Sequence, residues 1–210
     1  MNILPTSDNL ISALLDYVDD VISMDRQEIL DFFNDNGICY YNEHIDFLEK
    51  FWGSRTKFFD SINLNCAFQE IKEIYIENHP DNALLPNFTY FGTNNISGIF
   101  CISKETGKIY YQSIDENENP ILGDLYFNDI KSLLVISLFY YLDKCSNDIF
   151  FQKDMTSKEI HDIEEKLTPY HLNDIQRDNM IYYIKENMLY SINFKRGYMY
   201  KNLLHKDFFR

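Results

Sequence analysis

Five histidines, four cysteines and a large surplus of carboxylates are the side chains of this 210-residue chain with the reactivity to do chemistry. Their spacing decides which chemistry is open to them. His44, His79, His161, His171 and His205 form no His-Glu-x-x-His pair, the helical spacing that turns two imidazoles toward one zinc ion. His161-Asp162 and Glu43-His44 read instead as solvated helix positions. Cys39, Cys66, Cys101 and Cys145 stand far apart in apolar contexts, with no Cys-x-x-Cys pair, so buried free thiols in a reducing compartment are expected. Cys101 with a distant histidine has the parts of a cysteine hydrolase, but its neighbours Phe100 and Ile102 imply a strand in the core. A serine nucleophile lacks its Gly-x-Ser-x-Gly elbow, and Gly92 and Gly98 do not have the close spacing that lets backbone N–H groups cradle a phosphate. Carboxylate pairs such as Asp19-Asp20 and Asp115-Glu116 are so abundant that none marks a glycosidase acid and base. The residues therefore suggest no catalytic, metal or cofactor-binding set.

Binding is the remaining use for so much charge. A net charge of −14 argues against a nucleic-acid partner, because neutralising phosphates needs a basic surface, and it disfavours anionic lipid for the same reason. An acidic field instead attracts basic macromolecules and speeds their encounter. Glu43, Asp46 and Glu49, on the helix that carries Trp52, together with Asp115, Glu116 and Glu118 in an acidic loop, are the candidate docking residues for a basic partner. Residues 1–50 hold eleven carboxylates against only Arg26 and Lys50, whereas Lys195, Arg196, Lys201, Lys206 and Arg210 make the end of the chain basic. Such a tail is able to dock on the acidic body or on a second copy, a route to a homodimer through the C-terminal segment. The start of the chain has no basic, long apolar leader, and the most apolar run, Leu133 to Leu142, is about half what a bilayer requires, so the cytoplasm is expected.

Elements must position these groups. Ser7 caps a helix with Leu10, Ile11, Leu14, Leu15, Val18 and Ile22 at helical period. A second helix starts at Asp25 with Glu28 three residues on and stops at Asn36-Gly37. A third has Asn42 as its cap and Ile45, Leu48, Phe51 and Trp52 on one stripe, ending at Gly53, so Phe51 and Trp52 are expected to pack on a sheet. Phe58 to Leu64 is bounded like a strand, Ala67 to Glu77 has helical spacing, and His79-Pro80-Asp81-Asn82 is a break. Phe88 to Phe91, Gly98 to Ser103 and Lys108 to Ser113 are three strands of an antiparallel meander, joined at Gly92-Thr93-Asn94-Asn95 and Lys104-Glu105-Thr106-Gly107. Asp115 to Pro120 reads as a solvated loop, and Asn128 caps an apolar helix running to Leu142. Further on, Thr156-Ser157-Lys158-Glu159 is a capping box that opens a helix with Ile160, Ile163 and Leu167 inward. Met188 to Phe194 and Tyr198 to Tyr200, flanking Lys195-Arg196-Gly197, read as a hairpin that extends the main sheet or exchanges with a neighbour. Aromatic residues make up 16% of the chain, and sheet packing accounts for most of them.

The order of these signals resembles the SUKH superfamily, best known as immunity proteins of bacterial toxin systems. The resemblance rests on Asn36-Gly37, then Phe47-Leu48-Glu49-Lys50-Phe51-Trp52-Gly53, then Tyr90-Phe91-Gly92, then Gly107-Lys108-Ile109-Tyr110, and the helix after Asn128. It covers a little over half the chain; Ile109 stands where valine is commoner, and the acidic N-terminal helix and everything after about Asp143 have no counterpart. It implies an α+β fold with a twisted antiparallel sheet packed with helices; with the unmatched elements added, the chain is expected to divide into an acidic helix (1–24), a SUKH-like core (25–145) and a C-terminal helix and hairpin extension packed on that core (146–210). It also implies a non-enzymatic protein that binds and neutralises a toxin domain, such as a basic nuclease. Relatives bind diverse toxins through variable surfaces, so no site residue carries over. A regulatory or scaffold module of the same fold is the alternative, and an uncharacterised hydrolase is a third reading with only generic carboxylates behind it.

Overall fold

The computed structural model describes residues 8, 10–12, 23–51, 64–66, 68–76, 85–94, 98–117, 119–145, 150–152, 154–175, 179–186 and 188–203. Trp52, Gly53, most of the N-terminal helix, the strand expected from Phe58, the break at His79 and the end of the basic tail lie outside these residues. The chain is α+β and divides into two compact units, residues 20–130 and residues 1–19 with 131–210.

In the first unit, α1 (Arg26–Asp35) starts where Asp25 Oδ1 accepts the Gln27 N–H at 2.7 Å. It stops at Gly37, whose φ of +63° lets the Gly37 and Ile38 N–H groups turn back onto the carbonyls of Asn34 and Phe33. Helix α2 (Asn42–Phe51) begins one residue before the sequence suggests, since the Tyr41 carbonyl accepts the His44 N–H at 2.9 Å. Its inward stripe is His44, Ile45, Phe47, Leu48 and Phe51. Strand β1 (Leu64–Asn65) and helix α3 (Phe68–Ile76) precede the meander, and α3 lies within the segment whose spacing predicts a helix.

The sheet of this unit has five antiparallel strands in chain order: β1, β2 (Phe88–Asn94), β3 (Ile99–Ser103), β4 (Ile109–Ile114) and β5 (Pro120–Phe127). The three expected meander strands are therefore adjacent. The first turn differs in detail, because Gly92 to Asn94 continue β2, with a bulge between Tyr90 and Gly92. The second follows the expectation: Ser103 Oγ accepts the Thr106 N–H at 3.2 Å, and Gly107 has φ +67° with the Tyr41 ring where its Cβ would be. Opposed residues share a face, so Thr89, Ile102, Ile109 and Phe127 form one row across four strands, at 0 to 1% exposure throughout. Phe91, left out of register by the bulge, packs against His44 and Phe47, and Phe47 stacks on Phe51. Phe51 thus joins the core beside the sheet. Phe33 stacks on Phe68, tying α1 to α3.

The loop expected at Asp115 to Pro120 is the tight connection of a hairpin, and β5 follows it at once where the sequence shows no strand.

Helix α4 (Ile130–Cys145) has every residue from Ser132 to Leu138 buried, as an apolar helix without a polar face must be. In the second unit Lys131 bonds Asp8 at 2.9 Å and Asp174 at 3.3 Å. Helix α5 (Ser157–Leu167) opens with the expected capping box: Glu159 Oε2 accepts the Thr156 N–H at 2.8 Å, and Thr156 Oγ1 accepts the Glu159 N–H at 3.3 Å. The hairpin also forms, as β8 (Met188–Asn193) and β9 (Tyr198–Leu203), but it does not extend the first sheet. It lies in a second one, ordered β6 (Phe150–Gln152), β9, β8, β7 (Met180–Lys185). Met155, Leu167, Tyr183, Ile192 and Met199 form its core, with Ile160 and Ile163 packed against it.

Candidate protein-docking surface

The candidate acidic residues divide by what their carboxylates already do. On α2, Asp46 and Glu49 accept hydrogen bonds from Arg26 Nη1 at 2.5 and 2.7 Å, so two of the three carboxylates pin α1 to α2. Arg26, Asp46 and Glu49 are each roughly half exposed, which leaves the clamp screened by solvent and small in its contribution to stability. Glu43 is the outward member. Partial burial raises its carboxyl above the ordinary value, and the negative charges of Asp46 and Asp129 add to the effect. Tyr41 is raised too, by burial and then by Glu43 and Asp129, which puts these groups in one locality.

Asp115 is spent inside its own turn. Its Oδ1 accepts the Asn117 and Asn119 N–H groups, each at 2.8 Å, and the Asn119 side-chain amide also reaches both of its oxygens. Those donors hold the carboxyl below its ordinary value, the Asn119 N–H first among them. Glu116 is exposed beside it, and Glu118 lies outside the described residues.

These two acidic groups do not meet. Asp129 follows the C-terminal end of β5 and Asp115 precedes its start, and a strand of eight residues spans about 25 Å. The sequence pairs them on one surface; the hairpin holds them at opposite ends of a strand.

Between those ends lies what composition did not reveal. Residues 121–125 are exposed in succession, with Ile121 at 44%, Leu122 at 43% and Leu125 at 40%, and Ile114 on β4 reaches 63%. Gln112, opposite Leu122, is 3% exposed, so the cover ends at β5. Register shifts occur twice along the β4–β5 pair, one of them where Gly123 and Asp124 lie opposite Tyr111. A Cβ at Gly123 would stand 2.9 Å from the Tyr111 carbonyl oxygen. No Lys or Arg occurs between Lys108 and Lys131, whereas Asp115, Glu116, Glu118, Asp124 and Asp129 do. The hairpin therefore presents aliphatic side chains inside a purely acidic segment.

No family model matches the chain, and no curated protein or solved structure matches it.

The other reactive groups are held in the fold. His44 is a correction to the reading of Glu43-His44 as solvated. Its ring is fully buried between Phe33 and Phe91, because position 44 falls on the same helical stripe as Leu48 and Phe51. Neither ring nitrogen has a hydrogen-bond partner among the described residues, and burial pushes its pKa down to about 3, so the imidazole is neutral. Cys39 is a second correction, an exposed thiol in the connection between α1 and α2. Cys66 and Cys101 are buried as expected, and burial pushes the Cys101 thiol up to about 12, which keeps it protonated and a poor nucleophile. His161 is solvated and faces Glu165 at 3.5 Å. Glu70, from α3, accepts from the Tyr90 and Thr93 hydroxyls at 3.3 Å, a satisfied polar contact against β2. Among the described residues no group of His, Cys, Asp and Glu has the arrangement to hold a metal ion, and no helix is long and apolar enough to cross a membrane.

Proposed function

We propose that this chain is a non-enzymatic immunity protein of the bacterial cytoplasm, which binds a basic toxin domain such as a nuclease and blocks it. The observation that carries the reading is the β4–β5 hairpin, where Ile121, Leu122 and Leu125 are exposed within a segment that bears carboxylates and no cation. Exposed aliphatic side chains on an edge strand offer a surface that another molecule can cover. Carboxylates around them select for a partner that is basic as well as apolar, and the net charge of −14 steers such a partner in from a distance. A nuclease has to carry positive charge to hold its phosphate substrate, so it fits both requirements. The resemblance of Asn36-Gly37, Phe47 to Gly53, Tyr90-Phe91-Gly92 and Gly107 to Tyr110 to the SUKH pattern supports the same conclusion.

The test is to sequence the genes on either side of this one and to co-express the chain with any basic toxin domain they encode. Protection of growth, and recovery of a complex of the two purified proteins, is the expected result. A toxin that kills unhindered, with no complex formed, removes the immunity reading and favours a regulatory or scaffold module.

A further inference from the structure

The outer side of β5 needs explaining beyond its exposed aliphatics. In the sheet order β5 is terminal, paired only with β4, so half of its backbone N–H and C=O groups have no strand to bond among the described residues. A bare edge of this kind is a template for another strand, and proteins guard it with prolines, bulges or charge. All three guards are present here. Pro120 opens the strand, the register shift at Gly123 and Asp124 interrupts it, and Asp124 puts a charge at its middle.

The sign of that charge makes the guard selective. A second copy of this chain, laid antiparallel along β5, would bring its own Asp124 toward Asp124 and its Asp115-Glu116 turn toward Asp129, with −14 on each molecule. Like charges opposed across a strand pair destabilise it, so self-pairing is discouraged. A strand bearing lysine or arginine meets no such barrier. Pro120 and the register shift limit where any strand can pair, and the charge adds a barrier that a second copy meets and a cationic strand does not.

We propose that β5 accepts an extended, cationic segment of the partner protein as an added strand. The segment's apolar side chains lie against Ile121, Leu122 and Leu125, and its cations meet Asp124 and the exposed Glu116. Backbone hydrogen bonds to β5 supply affinity and the alternating side chains supply selectivity, as in other strand additions. The inference rests on the reading that the chain acts by binding a basic protein, and it specifies how.

The probe is a labelled synthetic peptide of alternating valine and lysine, long enough to span β5. Two others serve as controls: the same peptide with alternate backbone amides methylated, and a valine-glutamate peptide. Fluorescence anisotropy at physiological salt is expected to show the valine-lysine peptide binding at least about tenfold more tightly than either control. The double variant Leu122→Ser, Leu125→Ser, neutral and at exposed positions, is expected to weaken it by a similar factor, and binding is expected to slow amide exchange within residues 120–127. Equal binding of the methylated peptide would reduce the interaction to charge alone and overturn the proposal, as would unchanged exchange in β5. Dimerisation of the free chain that the double variant abolishes would assign the edge to a second copy and overturn it too. The same variant in the co-expression assay separates the two claims. Protection that persists without strand addition keeps the immunity reading and removes this one, whereas strand addition without protection keeps this one and removes the other.

Discussion

At β2, Thr89, Tyr90 and Phe91 are fully buried, and His44 beside them is an imidazole sealed among aromatic rings with no hydrogen-bond partner among the described residues. At β5, three strands away in the same sheet, Ile121, Leu122 and Leu125 are 40 to 44% exposed. Polar groups are inside at one strand and aliphatic ones outside at the other, the reverse of what residue type alone dictates. At β2 the helical stripe of α2 and the bulge at Phe91 force the imidazole inward, and ring packing offsets part of its desolvation. At β5 no helix or strand among the described residues provides cover, so the aliphatics stay exposed.

The largest contrast is in stability. Phe91→Ala removes a fully buried ring and is expected to cost about 3–5 kcal/mol in urea unfolding. Leu122→Ser, at 43% exposure, is expected to stay within about 0.5 kcal/mol. A core-sized loss at Leu122 would mean that the folded chain itself covers β5, and the contrast would fail.

Acid sharpens the β2 side. His44 has a pKa of about 3 in the fold against 6.5 when free, so the unfolded chain binds the proton first. Its contribution is intact above about pH 6.5 and is lost progressively as pH falls toward 3. Between neutrality and about pH 4.5 the loss is on the order of 2–3 kcal/mol. Urea melts at the two pH values are expected to differ by about that amount in the native chain, and His44→Leu is expected to remove that share of the difference. An unchanged difference in the variant would show that the ring is solvated or paired.

The smallest effect is at the acidic turn. Asp115→Ala removes the acceptor for the Asn117 and Asn119 N–H groups. Amide exchange at those two residues is expected to quicken with little change in global stability. In the native chain the carboxyl lies below its ordinary value, so this protection is present above that ordinary value and lost as pH falls through the depressed one.

Much of the fold was legible because it is written locally. Asn36-Gly37 stops α1 by a left-handed glycine, Thr156 and Glu159 cap α5 reciprocally, and Lys104 to Gly107 turns β3 into β4. Strand β5 was not legible, since Pro120, Gly123 and Asp124 break any alternation in Pro120–Phe127, and only pairing with β4 makes it a strand. The second sheet was half legible: the β8–β9 hairpin has its turn residues, whereas β6 is three residues long and β7 has no period of its own. Of the site, the acidity was readable and its division was not. Helical spacing puts Asp46 and Glu49 within reach of one cation, yet that Arg26 supplies it depends on how α1 meets α2. His44 reads as solvated from its polarity, whereas its helical period with Leu48 and Phe51 places it on the buried stripe.

The central claim is that a basic partner is steered in by charge and held by β5. Its most direct test is stopped-flow association of the chain with the valine-lysine peptide across a salt series, using the native chain and the Leu122→Ser, Leu125→Ser variant. Screening acts over about 10 Å at 0.1 M salt, so the association rate is expected to fall steeply with salt in both proteins, while dissociation is faster in the variant alone. An association rate indifferent to salt, with dissociation unchanged by the variant, would contradict both halves of the claim.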